Sequence, residues 1–143
     1  MKRNRIFLVA SWVAVAVCMG VIFYLSAQDG VQSQSVSGKV VTLFNFAISD
    51  DTIRTCAHCL EFAGLAVLVF NALYQSFGYI RPFIAFAITA AYAVSDETHQ
   101  LFVEGRAFQI SDLFIDCFGA ALGISALWAA IIIFSKIKRR RFR

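Results

Sequence analysis

The chain has 143 residues, 59% of them hydrophobic and only 15% charged, with a mean hydropathy of +0.71, against about 45–50% apolar and about 25% charged in soluble domains. That composition excludes an ordinary soluble domain, while one proline and eight glycines exclude collagen-like and disordered chains. The formal charge of +4 acquires meaning only from where the charges lie.

In chain order, the 23 residues from Ile6 to Gln28 carry no charge, enough at about 1.5 Å per residue to cross a hydrocarbon core of about 30 Å. Lys2, Arg3 and Arg5 before this run resemble the start of a secretory signal, but the run exceeds the ~7–15 apolar residues of such a signal, and a retained anchor is expected. Residues 28–38 are polar and turn-prone and read as a solvated loop. Val40, Val41, Phe44, Ala47 and Ile48 then recur at helical spacing among Lys39, Thr42 and Asn45, which predicts a short interfacial helix.

Phe62–Ile80 is the second uncharged run. Arg81-Pro82 opens the third, because proline in the first helical turn loses no hydrogen bond. Cys117–Ser135 is the fourth. The expected fold class is therefore all-α: a polytopic membrane protein, one domain over 1–143, with a four-transmembrane-helix bundle spanning about 6–28, 57–80, 82–103 and 111–135 and a short interfacial helix between the first two spans. No internal repeat or domain boundary is visible.

Ten of the thirteen Lys and Arg residues fall before span one, between spans two and three or after span four, whereas Lys39, Arg54 and Arg106 share the opposite end with all nine acids. By the positive-inside rule this predicts a multi-pass cell-membrane protein with both termini cytoplasmic. The basic tail then reads as a topology signal in contact with anionic membrane lipids. It carries no folded basic module, so no nucleic-acid partner is expected.

The spans bring ionisable residues to one depth. Arg54, His58 and Glu61 follow i, i+4, i+7 at the head of span two; Asp96, Glu97, His99 and Gln100 close span three; Asp112 and Asp116 stand one turn apart at the head of span four. A carboxylate near mid-membrane costs about 2.5–3.5 kcal/mol on insertion scales, so these groups are expected to face the bundle interior or a wet cavity. Gly119 and Gly123 continue the span-four stripe and predict close helix packing there. Arg106, in a Glu104-Gly105-Arg106 turn, is expected to pair with Asp96, Asp112 or Asp116. An outward-facing polar pocket built by spans two, three and four follows. The bland alternative is a purely structural polar core that fixes helix register and binds nothing.

The run from Asp96-Glu97-Thr98-His99-Gln100 to Gly105-Arg106, then Asp112-x-x-x-Asp116 and Gly119 to Gly123, resembles the signature of the VanZ-like family. Arg54-x-x-x-His58-x-x-Glu61-Phe62 and Phe23-Tyr24-Leu25-Ser26-Ala27-Gln28 extend the resemblance over nearly the whole chain. The resemblance implies a bacterial cell-envelope protein, linked by the family's name to teicoplanin resistance and so to glycopeptide antibiotics and the peptidoglycan precursors they bind. The motif residues it carries over are Arg54, His58, Glu61, Asp96, Glu97, His99, Gln100, Arg106, Asp112 and Asp116. They are expected to bind or modify an envelope headgroup or the antibiotic, with Arg54 and Arg106 as anion contacts. Glu61, Asp96, His99 and Asp116 are the candidates for acid–base work.

Cys56 and Cys59 depart from the family pattern. As a Cys-x-x-Cys beside His58 and Arg54 they support a rival function, a membrane thiol–disulfide oxidoreductase; otherwise they are small packing residues. A zinc site from Cys56, His58, Cys59 and His99 has suitable ligand types, but three ligands among four consecutive helical residues do not converge on one ion, so no metal and no cofactor are expected. No nucleophile elbow supports a serine hydrolase.

Overall fold

The computed structural model describes residues 5–27 and 50–141. The solvated loop and the interfacial helix expected within 28–49 lie outside the described residues. Four helices follow one another: α1 (Arg5–Ser26), α2 (Asp50–Phe77), α3 (Pro82–Gln100) and α4 (Ile110–Arg141). Among the described residues there is no strand.

The central helix is α2, which packs against all three others, most extensively against α4; α1 and α4 do not touch. Its position follows from its sequence. Phe62, Leu65, Ala66, Val69, Phe70, Ala72 and Leu73 are all buried and cover well over one side of the helix, as a helix enclosed by neighbours requires. In α1 the buried stripe is only Ser11, Val15, Ile22 and Ser26. The rest of α1 and most of α4 point apolar side chains outward, Phe7, Val17, Phe114, Phe118 and Phe134 among them. Such apolar walls suit lipid and not water.

Three helices are long and apolar enough to cross a membrane: Arg5–Ser26, Thr52–Phe77 and Ile110–Lys138. By length and composition α3 is not among them, since its 19 residues end in the polar run from Ser95 to Gln100. The sequence treats that run as the outer turns of the third span; physically, the same side chains that build the polar cluster reduce the helix's apolarity. On α3, Ala85, Thr89, Ala93, Asp96, Glu97 and Gln100 form one continuous buried face, so the carboxylates prolong a stripe of small residues turned into the bundle.

Helix ends differ modestly from expectation. α2 begins at Asp50 and not near 57, and α4 runs on to Arg141, because hydrogen bonding along the backbone continues past the apolar segment where neither Gly nor Pro interrupts it. Between α2 and α3, Gly78 adopts φ +78° and its N–H donates to Tyr74 O at 2.7 Å, a left-handed helix stop that favours glycine. Arg81 then lies over the Phe77 and Tyr79 rings at 4.1 and 4.4 Å, which sheathes its charge in aromatic faces.

Gly119 and Gly123 seat α4 on α2. A Cβ at Gly119 would collide with the Cys59 carbonyl, and one at Gly123 with the Ala63 carbonyl. The two backbones touch there, as small-residue stripes allow.

Candidate functional site

The heads of α2 and α4 lie side by side because Gly119 and Gly123 allow it. One turn and two turns above that contact, α4 carries Asp116 and Asp112, and α2 answers with His58 and Arg54. Arg54 Nη2 meets Asp112 Oδ2 at 3.3 Å, with both side chains partly open to solvent. His58 Nδ1 lies 3.4 Å from Asp116 Oδ1, near enough for an ion pair but not aligned as a hydrogen bond. Above them opens a cavity of about 300 Å³ lined by Arg54, Thr55, His58, Gln109, Ser111, Asp112 and Ile115.

Asp96, Glu97, Gln100 and Asp116 are buried to 1% exposure or less, and His58 to 7%. Groups of this kind are almost never enclosed unless paired. Here the pairing is partial. Ser26 Oγ donates to Asp96 Oδ2 at 2.7 Å, and Gln100 Nε2 reaches the same oxygen at 3.5 Å. The Gln109 backbone N–H donates to Glu97 Oε2 at 2.9 Å, which ties the end of α3 to the residue whose carbonyl accepts the first N–H groups of α4. Asp96 Oδ1, Glu97 Oε1, Gln100 Oε1 and both Asp116 oxygens have no hydrogen-bond partner.

The expected site residues therefore divide. Arg54, His58 and Asp112 meet at the cavity, with Asp116 behind His58. Glu61, half-buried on the same face of α2, shares an electrostatic neighbourhood with His58, Asp96 and Asp116. Asp96 and Gln100 form a second group against the end of α1. His99 turns away from the cavity: its ring stacks on Phe23 of α1 at 4.1 Å between centroids, with Nε2 buried and unpartnered.

Two expectations require correction. Arg106 does not pair with Asp96, Asp112 or Asp116: among the described residues no carboxylate lies within ion-pair distance, and its Nε and Nη1 are buried without partners. The reason is local. Gly105 at φ +74° and the Arg106 N–H bond to Val103 O at 3.1 Å curl the chain at this point, while Arg54 takes Asp112. Burial, reinforced by the nearby Arg54 charge, lowers the Arg106 guanidinium from its ordinary pKa against the opposing pull of Asp112, Asp96 and Glu97. Second, the polar cluster is not confined to the last three helices. α1 supplies Ser26 to Asp96, and the Met19 carbonyl accepts from Tyr92 Oη at 2.6 Å.

Ser26, Thr55, Gln109 and Ser111 escape sequence reasoning because single hydroxyls and amides near span ends carry no charge signal. For Ser26 the one clue is its place in the Phe23–Gln28 segment that resembles the family. Cys56 is exposed, Cys59 half-buried beside Gly119, and both are free thiols. Among the described residues no three His, Cys, Asp or Glu side chains converge on one metal-sized point.

Neither a curated protein nor a solved structure matches the chain. The VanZ/LLP1 family model matches residues 11–134, a stretch that contains every side chain of the polar cluster, and the chain belongs to that family.

Proposed function

We propose that the protein is a single four-span membrane domain with both termini cytoplasmic, and that the polar mouth between α2, α3 and α4 opens outward and binds the anionic headgroup of an outer-leaflet envelope component or a glycopeptide antibiotic. On this reading α3 is the third of the four spans, tolerated because its carboxylates turn into the bundle. A contribution to teicoplanin resistance belongs to the same proposal and rests on the family's name.

The observation that carries it is the state of the two arginines. Arg54 holds its one carboxylate loosely at 3.3 Å and borders the cavity; Arg106 has buried donors with no acceptor. Guanidinium groups left short of acceptors in a partly dry site favour a multi-oxygen anion. The test combines co-purified lipid with glycopeptide susceptibility in Arg54→Ala, Arg106→Ala and Asp112→Asn variants. The two arginine variants are expected to lose bound lipid about tenfold or more, the ratio that ~1.4 kcal/mol represents. Normal insertion with both readouts unchanged would instead support a structural polar core, for which the Ser26–Asp96 and Gln109–Glu97 bonds speak.

A further inference from the structure

His58 presents its two nitrogens differently. Nδ1 is buried against Asp116 at 3.4 Å. Nε2 is neither bonded nor buried, and the ring borders the cavity. A wholly enclosed carboxylate behind one imidazole nitrogen and an open cavity before the other is the arrangement that orients a general base: the carboxylate fixes the tautomer with the proton on Nδ1 and leaves the Nε2 lone pair for a substrate or water. Long spacings such as 3.4 Å are common in unliganded sites and shorten when substrate enters. Arg54 and Thr55 border the same cavity, as do Gln109, Ser111 and Asp112 at the start of α4, whose positive dipole end favours negative charge.

We propose that this cavity is a hydrolytic site for a terminal phosphoryl group carried by a membrane lipid, with His58 the general base and Asp116 its positioning residue. This rests on the anion-binding mouth proposed above and adds a reaction to it. Arg54 holds two phosphoryl oxygens. His58 Nε2 takes a proton from water as the water oxygen bonds to phosphorus. The bond from phosphorus to the lipid-side oxygen breaks, its electron pair stays on that oxygen, and the proton on Nε2 passes to it. The products are inorganic phosphate and a lipid alcohol, or a lipid monophosphate if the substrate is a diphosphate. No electron changes hands and the imidazole is regenerated.

The experiment uses the full chain in mild detergent with two probes, dioctanoyl phosphatidic acid for the monoester and farnesyl diphosphate for the diphosphate, and follows both binding and phosphate release in oxygen-18 water. Release of labelled phosphate from either probe is expected. His58→Gln should reduce kcat about 100-fold or more, the scale of general-base catalysis, while weakening probe binding less than tenfold. Asp116→Asn should lower kcat at least tenfold with KM within threefold, a split that a folding defect does not produce. Absence of release from both probes, or release indifferent to His58→Gln, overturns the proposal. If the wild-type protein still binds a probe, only the hydrolytic step falls; if it binds neither, the anion-binding mouth falls with it.

Discussion

Arg54 and Asp112 meet with 28% and 14% of their side chains exposed, and that exposure decides what their contact is worth. Solvent screens such a pair, and exposed pairs contribute about 0.2–1 kcal/mol. A double-mutant cycle with Arg54→Ala and Asp112→Ala, read by unfolding in bicelles, should therefore give a coupling below about 1 kcal/mol. A larger value would mean that Arg54 is committed to holding the fold and is not available to a ligand. Ser26 and Asp96 are enclosed by comparison, and Ser26→Ala should destabilise by about 0.6–1.7 kcal/mol, the range of interhelical hydrogen bonds in membranes. These two pairs also show what residue spacing reveals. His58, Asp112 and Asp116 are legible as one-turn stripes because charge in an apolar span has few innocent explanations. Ser26 is not, because a serine in a membrane helix commonly bonds its own backbone, as Ser11 does to Leu8 O. That Arg106 lacks a carboxylate partner is illegible for another reason: it lies in a turn whose path is set by Gly105 and by the Glu97 tie, neither of which sequence distance encodes.

At the scale of elements, the α2–α4 seam places the heads of both helices, so the cavity depends on two glycines about two and three turns below Asp112 at its rim. Gly119→Ala and Gly123→Ala each drive a Cβ into a backbone carbonyl, and because a backbone cannot rotate away as a side chain can, each should cost at least the ~1–3 kcal/mol of an overpacked core. Gly64→Ala is the control. It meets nothing within 4 Å and should be neutral or stabilising by up to about 1 kcal/mol. Loss of stability in all three variants alike would deny the close approach. The cysteines belong to this seam as well, Cys59 lying directly under Gly119. A Cys56→Ser, Cys59→Ser double variant is expected to keep its bound lipid, and thiol trapping in living cells should find both thiols reduced; a trapped disulfide that cycles would favour the oxidoreductase. The uncharged runs disclose α1, α2 and α4 because 19 to 23 uncharged, mostly apolar residues admit little else. α3 is harder to read, since its polar last turns raise the same signal as a helix end, and only its buried face separates the two.

For the whole molecule, the segregation of charge along the sequence is the strongest constraint: ten cations fall before the first apolar run, between the second and third or after the fourth, and all nine acids share the remaining intervals with three cations. Outward apolar walls on α1 and α4, which never touch each other, leave α2 as the interior helix, and the ionisable residues of α2, α3 and α4 converge around it. This combination is what a bundle open at one end requires, and it fixes which end must face outward if the termini stay inside. The direct measurement is labelling of intact cells with a charged, membrane-impermeant thiol reagent, the native cysteines having been replaced by serine. Gln109→Cys, on the cavity rim, should react in intact cells, and Tyr79→Cys, in the turn between α2 and α3, only after permeabilisation. Reaction of Tyr79→Cys from outside, with Gln109→Cys protected until the cells are opened, would place the polar mouth in the cytoplasm and contradict an envelope-facing site.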